Sequence, residues 1–209
     1  MTQSAHQPID QLTNRLSNAL FDNGCIQFGT FILKSGITSP IYLDLRLLVS
    51  HPPLMREVGH TMARVAHTLT FDRIAAIPYA GLPIGVALAL EMNRPLIYAR
   101  REVKTHGTRR AIEGAFESGE TVLLVDDLIT RGDSKLEAIA QMESVGLNVR
   151  DVLVLIDRGQ GGAEDLAKNN RRLHAVLRLT EALDALQESA RITPSQHAEI
   201  LHYLRSTNP

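Results

Sequence analysis

The 209-residue chain contains a single cysteine, Cys25. That excludes an internal disulfide and a multi-cysteine zinc site, and it suits a reducing compartment. Cys25 itself reads as a small core or boundary residue. A charge excess of one sign is also missing. Lys and Arg number 22 against 23 Asp and Glu, a formal net charge of -1, so no overall basic field draws nucleic acid or an anionic membrane. Any bound anion must be met by a local cluster of positive charge. Long apolar runs are lacking too. The most apolar stretch, Arg73 to Met92, is broken by Pro78, Gly81, Pro83 and Gly85, whereas a membrane helix needs about 20 apolar residues in succession. Met1 to Pro8 carry no apolar signal-peptide core, which points to a cytoplasmic protein. No internal repeat, low-complexity tract or Gly/Ser linker divides the sequence, and the length suits one large domain.

What is present is alternation. Leu12, Leu16 and Leu20 recur at helical spacing and predict an opening amphipathic helix that Gly24 ends. Phe28 to Leu33 and Ile41 to Leu45 read as short strands around Lys34-Ser35-Gly36. Pro52 and Pro53 open a helix, because proline is tolerated in a first turn. From there short apolar runs at 73–77, 95–99, 121–125, 151–156 and 172–177 interleave with helical stretches at 82–91, 134–144 and 162–169. Thr193-Pro194 starts a last helix. Apolar strands alternating with helices predict an α/β fold, a mostly parallel sheet covered on both faces. Ligands then sit at the carboxyl ends of the strands.

One such end is rich in chemistry. The run Thr121 to Val125 delivers Asp126 and Asp127, followed by Leu128, Ile129, Thr130, Arg131, Gly132, Asp133, Ser134 and Lys135. Ser134 and Glu137 have the spacing of a capping box, which predicts a helix start there. A helix N-terminus with free N–H groups, a glycine and hydroxyls makes a phosphate cradle. Two carboxylates beside it suit sugar hydroxyls or magnesium-bound water. The residues alone leave open a plain polar strand end followed by a turn.

The segment closely resembles the phosphoribosyl-pyrophosphate (PRPP) signature of the type I phosphoribosyltransferases. The resemblance implies that family's fold: a central, mostly parallel sheet flanked by helices, a small N-terminal hood and a mobile catalytic loop. It implies a single domain over 1–209, with about 1–50 and 180–209 forming hood and terminal elements. Asp126 and Asp127 are then the ribose contacts, and Leu128 through Ser134 wrap the 5′-phosphate. Arg131 and Asp133 stand where members mostly carry small or hydroxyl residues. Arg131 adds charge near a phosphate. Asp133 would repel one at close range, so it is expected to point away and help cap the helix.

Four further segments resemble the orotate phosphoribosyltransferases in particular. Arg100-Arg101-Glu102-Val103-Lys104-Thr105-His106 matches their catalytic loop, which assigns Arg100, Arg101, Lys104 and His106 to pyrophosphate. Arg101 replaces a lysine common in bacterial members, keeping the charge and altering its geometry. Phe28 to Gly36 and Ser39 to Asp44 match the N-terminal orotate segment. There Lys34 reaches the diphosphate, and Tyr42 and Leu43 lie against the pyrimidine, with Thr130 also at the orotate. Ile156-Asp157-Arg158-Gly159-Gln160 matches a signature whose arginine, here Arg158, binds the orotate carboxylate; a planar fork can meet a carboxylate with two bonds. Gly159 replaces a usual glutamate or glutamine, with stiffness of the loop the expected consequence. Pro78 to Pro83 match the pyrophosphate turn, where Tyr79 and backbone at Ala80 make contact, although many bacterial members have a lysine in place of Ala80. In this respect the chain looks more like the orotate-transferring domain of bifunctional uridine-monophosphate synthases.

The resemblance therefore implies an enzyme that joins orotate to PRPP, giving orotidine monophosphate and pyrophosphate in pyrimidine biosynthesis. Magnesium is held by PRPP and water rather than by a protein ligand. A homodimer with shared active sites and an orotidine-monophosphate decarboxylase, fused or associated, are the implied partners. Two rivals remain: a phosphoribosyltransferase for another base, and a PRPP-binding regulator without catalysis. The net charge of -1 lacks the regulator's basic face. No Walker-type loop or strand-linked G-x-G-x-x-G is present. His60 and His67, and His197 and His202, lack zinc-site spacing with a third ligand and read as surface histidines.

Overall fold

The computed structural model describes residues 7–32, 36–100 and 111–207, without the side chains of 7–10. Helix α1 (Gln7–Asp22) leads into an antiparallel pair, β1 (Ile26–Ile32) and β2 (Thr38–Leu43). A 3-10 turn, Leu45–Ser50, follows where the sequence predicted strand to continue through Leu45. Helix α2 (Pro52–Ala66) carries its prolines at the start, as expected.

The central sheet is built from β3 (Arg73–Ala76), β4 (Leu96–Ala99), β5 (Ile112–Glu113), β6 (Thr121–Ile129), β7 (Asn148–Asp157) and β8 (Arg172–Arg178). Its order is β5-β4-β3-β6-β7-β8, parallel throughout except for the short antiparallel edge β5. Helices α3 (Gly81–Met92), α4 (Asp133–Glu143) and α5 (Gly162–Lys168) connect the strands. Helices α6 (Leu179–Glu188) and α7 (Pro194–Ser206) close the described chain.

Alternation along β6 explains the two covered faces. Leu123 and Val125 join the core under α1, α2, α3 and α6, whereas Val122 and Leu124 join the core under α4 and α5. All four are fully buried, which is why the run reads as continuously apolar. Cys25 is buried as foreseen, and burial with the nearby Asp44 carboxylate pushes its thiol up to about 11, leaving it an inert packing group. Thr193 caps α7 as predicted, its Oγ accepting from the Gln196 N–H at 3.2 Å.

Candidate active site

Strand β6 runs four residues past the apolar segment because β7 keeps pairing with it: Asp126 opposes Val154, Leu128 opposes Ile156 and Ile129 opposes Asp157. Asp126 and Asp127 therefore stand on ordered strand, not on a loose end. Asp126 is buried. Its Oδ1 accepts from the Asp127 N–H at 2.9 Å, and its Oδ2 faces Lys135 Nζ at 2.7 Å. Helix α3 arrives so close that a Cβ on Gly81 would meet Asp126 Oδ1 at 2.8 Å and the Val125 carbonyl at 3.1 Å; only glycine fits there. Burial, then the adjacent Asp126 charge, raises the Asp127 carboxyl to about 7.

The loop after β6 differs from expectation in detail. Helix α4 begins at Asp133 with Gly132 as its cap and no capping side-chain bond, so the predicted Ser134–Glu137 box is not formed. Starting one residue earlier puts Ser134 inside the first turn, past the position from which a hydroxyl caps. Asp133 is exposed in that first turn. It favours the positive end of the helix without making the cap bond. Arg131 turns toward Asp165 at 3.9 Å, and Gly132 N–H donates to the same carboxylate at 3.4 Å. The positive charge foreseen near a phosphate is thus shared with Asp165. Thr130 is half-buried, Leu128 half-buried and Ile129 fully buried, leaving backbone as the last two residues' offering to a ligand.

Across the cleft, the Pro78–Tyr79 peptide is cis, Tyr79 is exposed, and Ala80 occupies the cap position of α3. Arg100, at the end of β4, pairs with Glu113 of β5. Its guanidinium is therefore partly neutralised and not wholly available to an anion. Arg100, Pro78 and Ser134 nonetheless line one cavity of about 420 Å³, so the turn, the strand end and α4 converge as the sequence anticipated.

The third group is the loop after β7. The Arg158 N–H donates to the Ile129 carbonyl at 3.0 Å, tying this loop directly to the end of β6. Arg158 lines a cavity of about 310 Å³ with Asp157, Gly161, Glu164 and Arg178. Its Nε is buried with no hydrogen-bond partner among the described residues, and burial lowers its pKa despite a hydrogen bond with Tyr203 of α7. A buried cation with an idle donor beside a cavity suits an anionic ligand. Gly159 has φ +68 and its N–H donates to Asp157 Oδ1 at 2.8 Å. Glycine holds that left-handed turn without strain.

The chain matches the model of the phosphoribosyl transferase domain over residues 47–176. An orotate phosphoribosyltransferase of Caenorhabditis elegans is 35% identical over 206 residues, covering 98% of this chain and 90% of that protein. This chain belongs to the orotate phosphoribosyltransferase family. The bifunctional enzyme PyrF/PyrE of Nostoc is 45% identical over 177 residues, covering 85% of this chain. The UMP synthase structure of Leishmania donovani aligns with a TM-score of 0.86 at 43% identity over 93% of this chain. The chain spans only 37% of the former and 42% of the latter.

Four of the residues expected to meet substrates cannot be placed. Lys34, Arg101, Lys104 and His106 fall outside the described residues. Tyr42 and Leu43 sit on β2, where Tyr42 stacks on Phe31 at 5.4 Å and its hydroxyl accepts from Arg46 at 2.9 Å. Neither lines the Arg158 cavity. His60 and His197 hydrogen-bond Glu91 and Asp184, at 2.9 and 2.7 Å, and of the two only His60 is exposed at the surface. Sequence reasoning missed Lys135, Asp165, Tyr203 and Gln160. Lys135 directly follows Ser134 in the sequence, but a neighbour at i+1 gives no sign that it folds back beneath the strand. Gln160 Nε2 donates to Thr207 Oγ1 at 2.7 Å, so α7 holds the Arg158 loop at two points.

Proposed function

We propose that this chain transfers the phosphoribosyl group of PRPP to orotate, giving orotidine monophosphate and pyrophosphate. The supporting observation is Arg158: a largely buried guanidinium with an unpartnered Nε, on a cavity joined by backbone hydrogen bond to the end of β6. A neutral purine brings no negative charge to that group, whereas the orotate carboxylate does. The chemistry needs little covalent help from protein. The N–H nitrogen of orotate forms the bond to the anomeric carbon and gives up its proton to solvent, while the carbon–oxygen bond to pyrophosphate breaks and its electron pair leaves on the pyrophosphate oxygen. Positive charge grows on the ribose, where Asp126 and Asp127 steady it, with Thr130 and Ser134 beside the phosphate. Arg100, Arg101, Lys104, His106 and Lys34 are the groups proposed to meet the leaving pyrophosphate, with Tyr79 and the Ala80 backbone opposite. Closure of the loop, expected over 100–115 but shortened at its far end by β5 at Ile112–Glu113, excludes water that would hydrolyse the activated sugar.

Magnesium fits as an ion carried by PRPP. Asp126 has both oxygens committed, to Lys135 and to the Asp127 N–H, so direct ligation by that side chain is not the fit. When bound, the ion supplies charge neutralisation on the diphosphate. We further place the chain as one phosphoribosyltransferase domain of a cytoplasmic homodimer. The bifunctional relatives suggest an orotidine-monophosphate decarboxylase as partner or fusion. Among the described residues no helix is long and apolar enough to cross a membrane.

Arg158→Ala tests the reading. Losing a charge-assisted bond costs roughly 1.5–3 kcal/mol, about ten- to a hundredfold in orotate affinity, with PRPP affinity little changed. Equal weakening of both substrates would give Arg158 another role.

A further inference from the structure

Lys135 is the one described lysine that is buried, only 4% exposed. A lone ammonium there would be driven to lose its proton, so its partners decide its state. Nζ has three donors, and the structure gives it three acceptors: the Leu128 carbonyl at 2.6 Å, Asp126 Oδ2 at 2.7 Å and Ser134 Oγ at 3.4 Å. Two of these lie at the end of β6 and the third in the first turn of α4. One side chain thus clasps both ends of the loop 129–133. Because Oδ1 of Asp126 accepts from the Asp127 N–H, the Asp126 carboxylate is fixed at both oxygens.

We propose that Lys135 is a positioning residue for PRPP, holding the Asp126 carboxylate in place and the loop after β6 in register from beneath, without touching the substrate. Two carboxylates adjoin here, Asp126 and Asp127, the Asp127 N–H donating to Asp126 Oδ1. Arg131 is shared with Asp165, so among the described residues Lys135 is the cation that offsets Asp126. The elements packed on Asp126 add no other charge at the contact: α3 presents Gly81 and β7 presents Val154. Without Lys135, Asp126 loses its partner, and the Asp127 carboxyl, raised to about 7 even with the lysine's charge pulling it down, holds its proton to higher pH. A protonated Asp127 accepts ribose hydroxyls poorly, and the loop loses its tie.

The inference rests on reading this corner as the PRPP site, so the test measures PRPP binding directly by calorimetry with magnesium, and separately the KM values in the forward reaction. Lys135→Met should weaken PRPP about ten- to a hundredfold at pH 7, the range for a lost charge-assisted contact, with orotate KM within about twofold. The weakening should shrink as pH is raised from about 7 to about 9, because Asp127, at about 7 with the lysine present and higher without it, then ionises. A purely structural defect would be the same at every pH and would affect orotate equally; either result overturns the proposal, as does unchanged PRPP binding. Should the methionine variant fail to fold, Lys135→Gln keeps a donor for Leu128 while removing the charge, and the same outcomes apply to it. If the unaltered protein binds no PRPP, the site reading itself fails, which is distinguishable from binding that Lys135 does not influence.

Discussion

Burial and the neighbouring Asp126 carboxylate raise the Asp127 carboxyl to about 7, so its proton is held far longer in the folded protein than in the unfolded chain. An unfolded aspartate releases it near pH 4, about 3.9. Between those values the folded state binds more protons. Stability therefore falls as pH rises through this window and stays lowered above the folded value. Asp127→Asn removes that cost while keeping an oxygen to accept the Leu128 N–H, a bond of 2.8 Å. The ligand-free variant should melt higher than its parent at pH 8, by an amount on the order of 1–3 kcal/mol, and nearly level with it near pH 4.5. Its PRPP turnover should be lost. Thermal melts at the two pH values decide this, and an equal shift at both would show that Asp127 is not the titrating group. Gly81 permits a second residue-scale test. A Cβ there would meet Asp126 backbone and side chain at 3.0 and 2.8 Å. Gly81→Ala should destabilise by about 1–3 kcal/mol, the usual cost of overpacking, and raise PRPP KM by displacing Asp126.

Among the elements, α7 has the least obvious task. Its Tyr203 bonds Arg158 and its C-cap Thr207 accepts from Gln160, so a terminal helix braces the loop proposed to read the orotate carboxylate. Tyr203→Phe should raise orotate KM about three- to tenfold, the worth of one net hydrogen bond, and leave PRPP KM unchanged. If instead both KM values hold while stability drops, α7 is packing alone. This brace could not be read in advance. The sequence showed α7 through Thr193, Pro194 and Gln196, but a tyrosine on a helix reveals nothing of a loop some 45 positions upstream. Strands β3, β6 and β7 were legible because burial on both faces makes each an apolar run, and β4 and β8, less buried, still carry short apolar stretches. The two-residue β5 is too short for any periodicity. Helix α6 carried its signal, Ala182, Leu183 and Leu186 with Glu181 reaching back to the Arg178 N–H at 3.2 Å, and went unread because it follows β8 without a turn. The α4 start moved by one residue, since the local Ser134–Glu137 pattern lost to a tertiary demand: the first turn had to bring Lys135 beneath β6.

At the scale of the molecule, the loop after β6, the 78–83 turn after β3 and the Arg158 loop after β7, proposed to hold phosphate, pyrophosphate and orotate, all lie at the carboxyl ends of parallel strands, where the sheet order places β3, β6 and β7 side by side. Lys104 and its neighbours fall outside the described residues, and the proposed dimer gives them a role that mixing can test. Lys104→Ala disables the loop, and Asp126→Asn with Asp127→Asn disables the ribose contacts. If the loop serves the partner's site, random exchange makes half of the dimers mixed, each with one intact site, and about a quarter of the parent activity returns by two-fold symmetry. Demonstrated exchange without recovery would place the loop over its own subunit. The central claim, transfer to orotate, is tested most directly by offering the purified protein PRPP and magnesium with orotate, uracil, adenine, guanine or hypoxanthine in turn, following base consumption and pyrophosphate release. The account predicts stoichiometric loss of orotate and formation of its nucleotide, with the neutral bases left untouched; turnover of a neutral base with orotate unconsumed would contradict it.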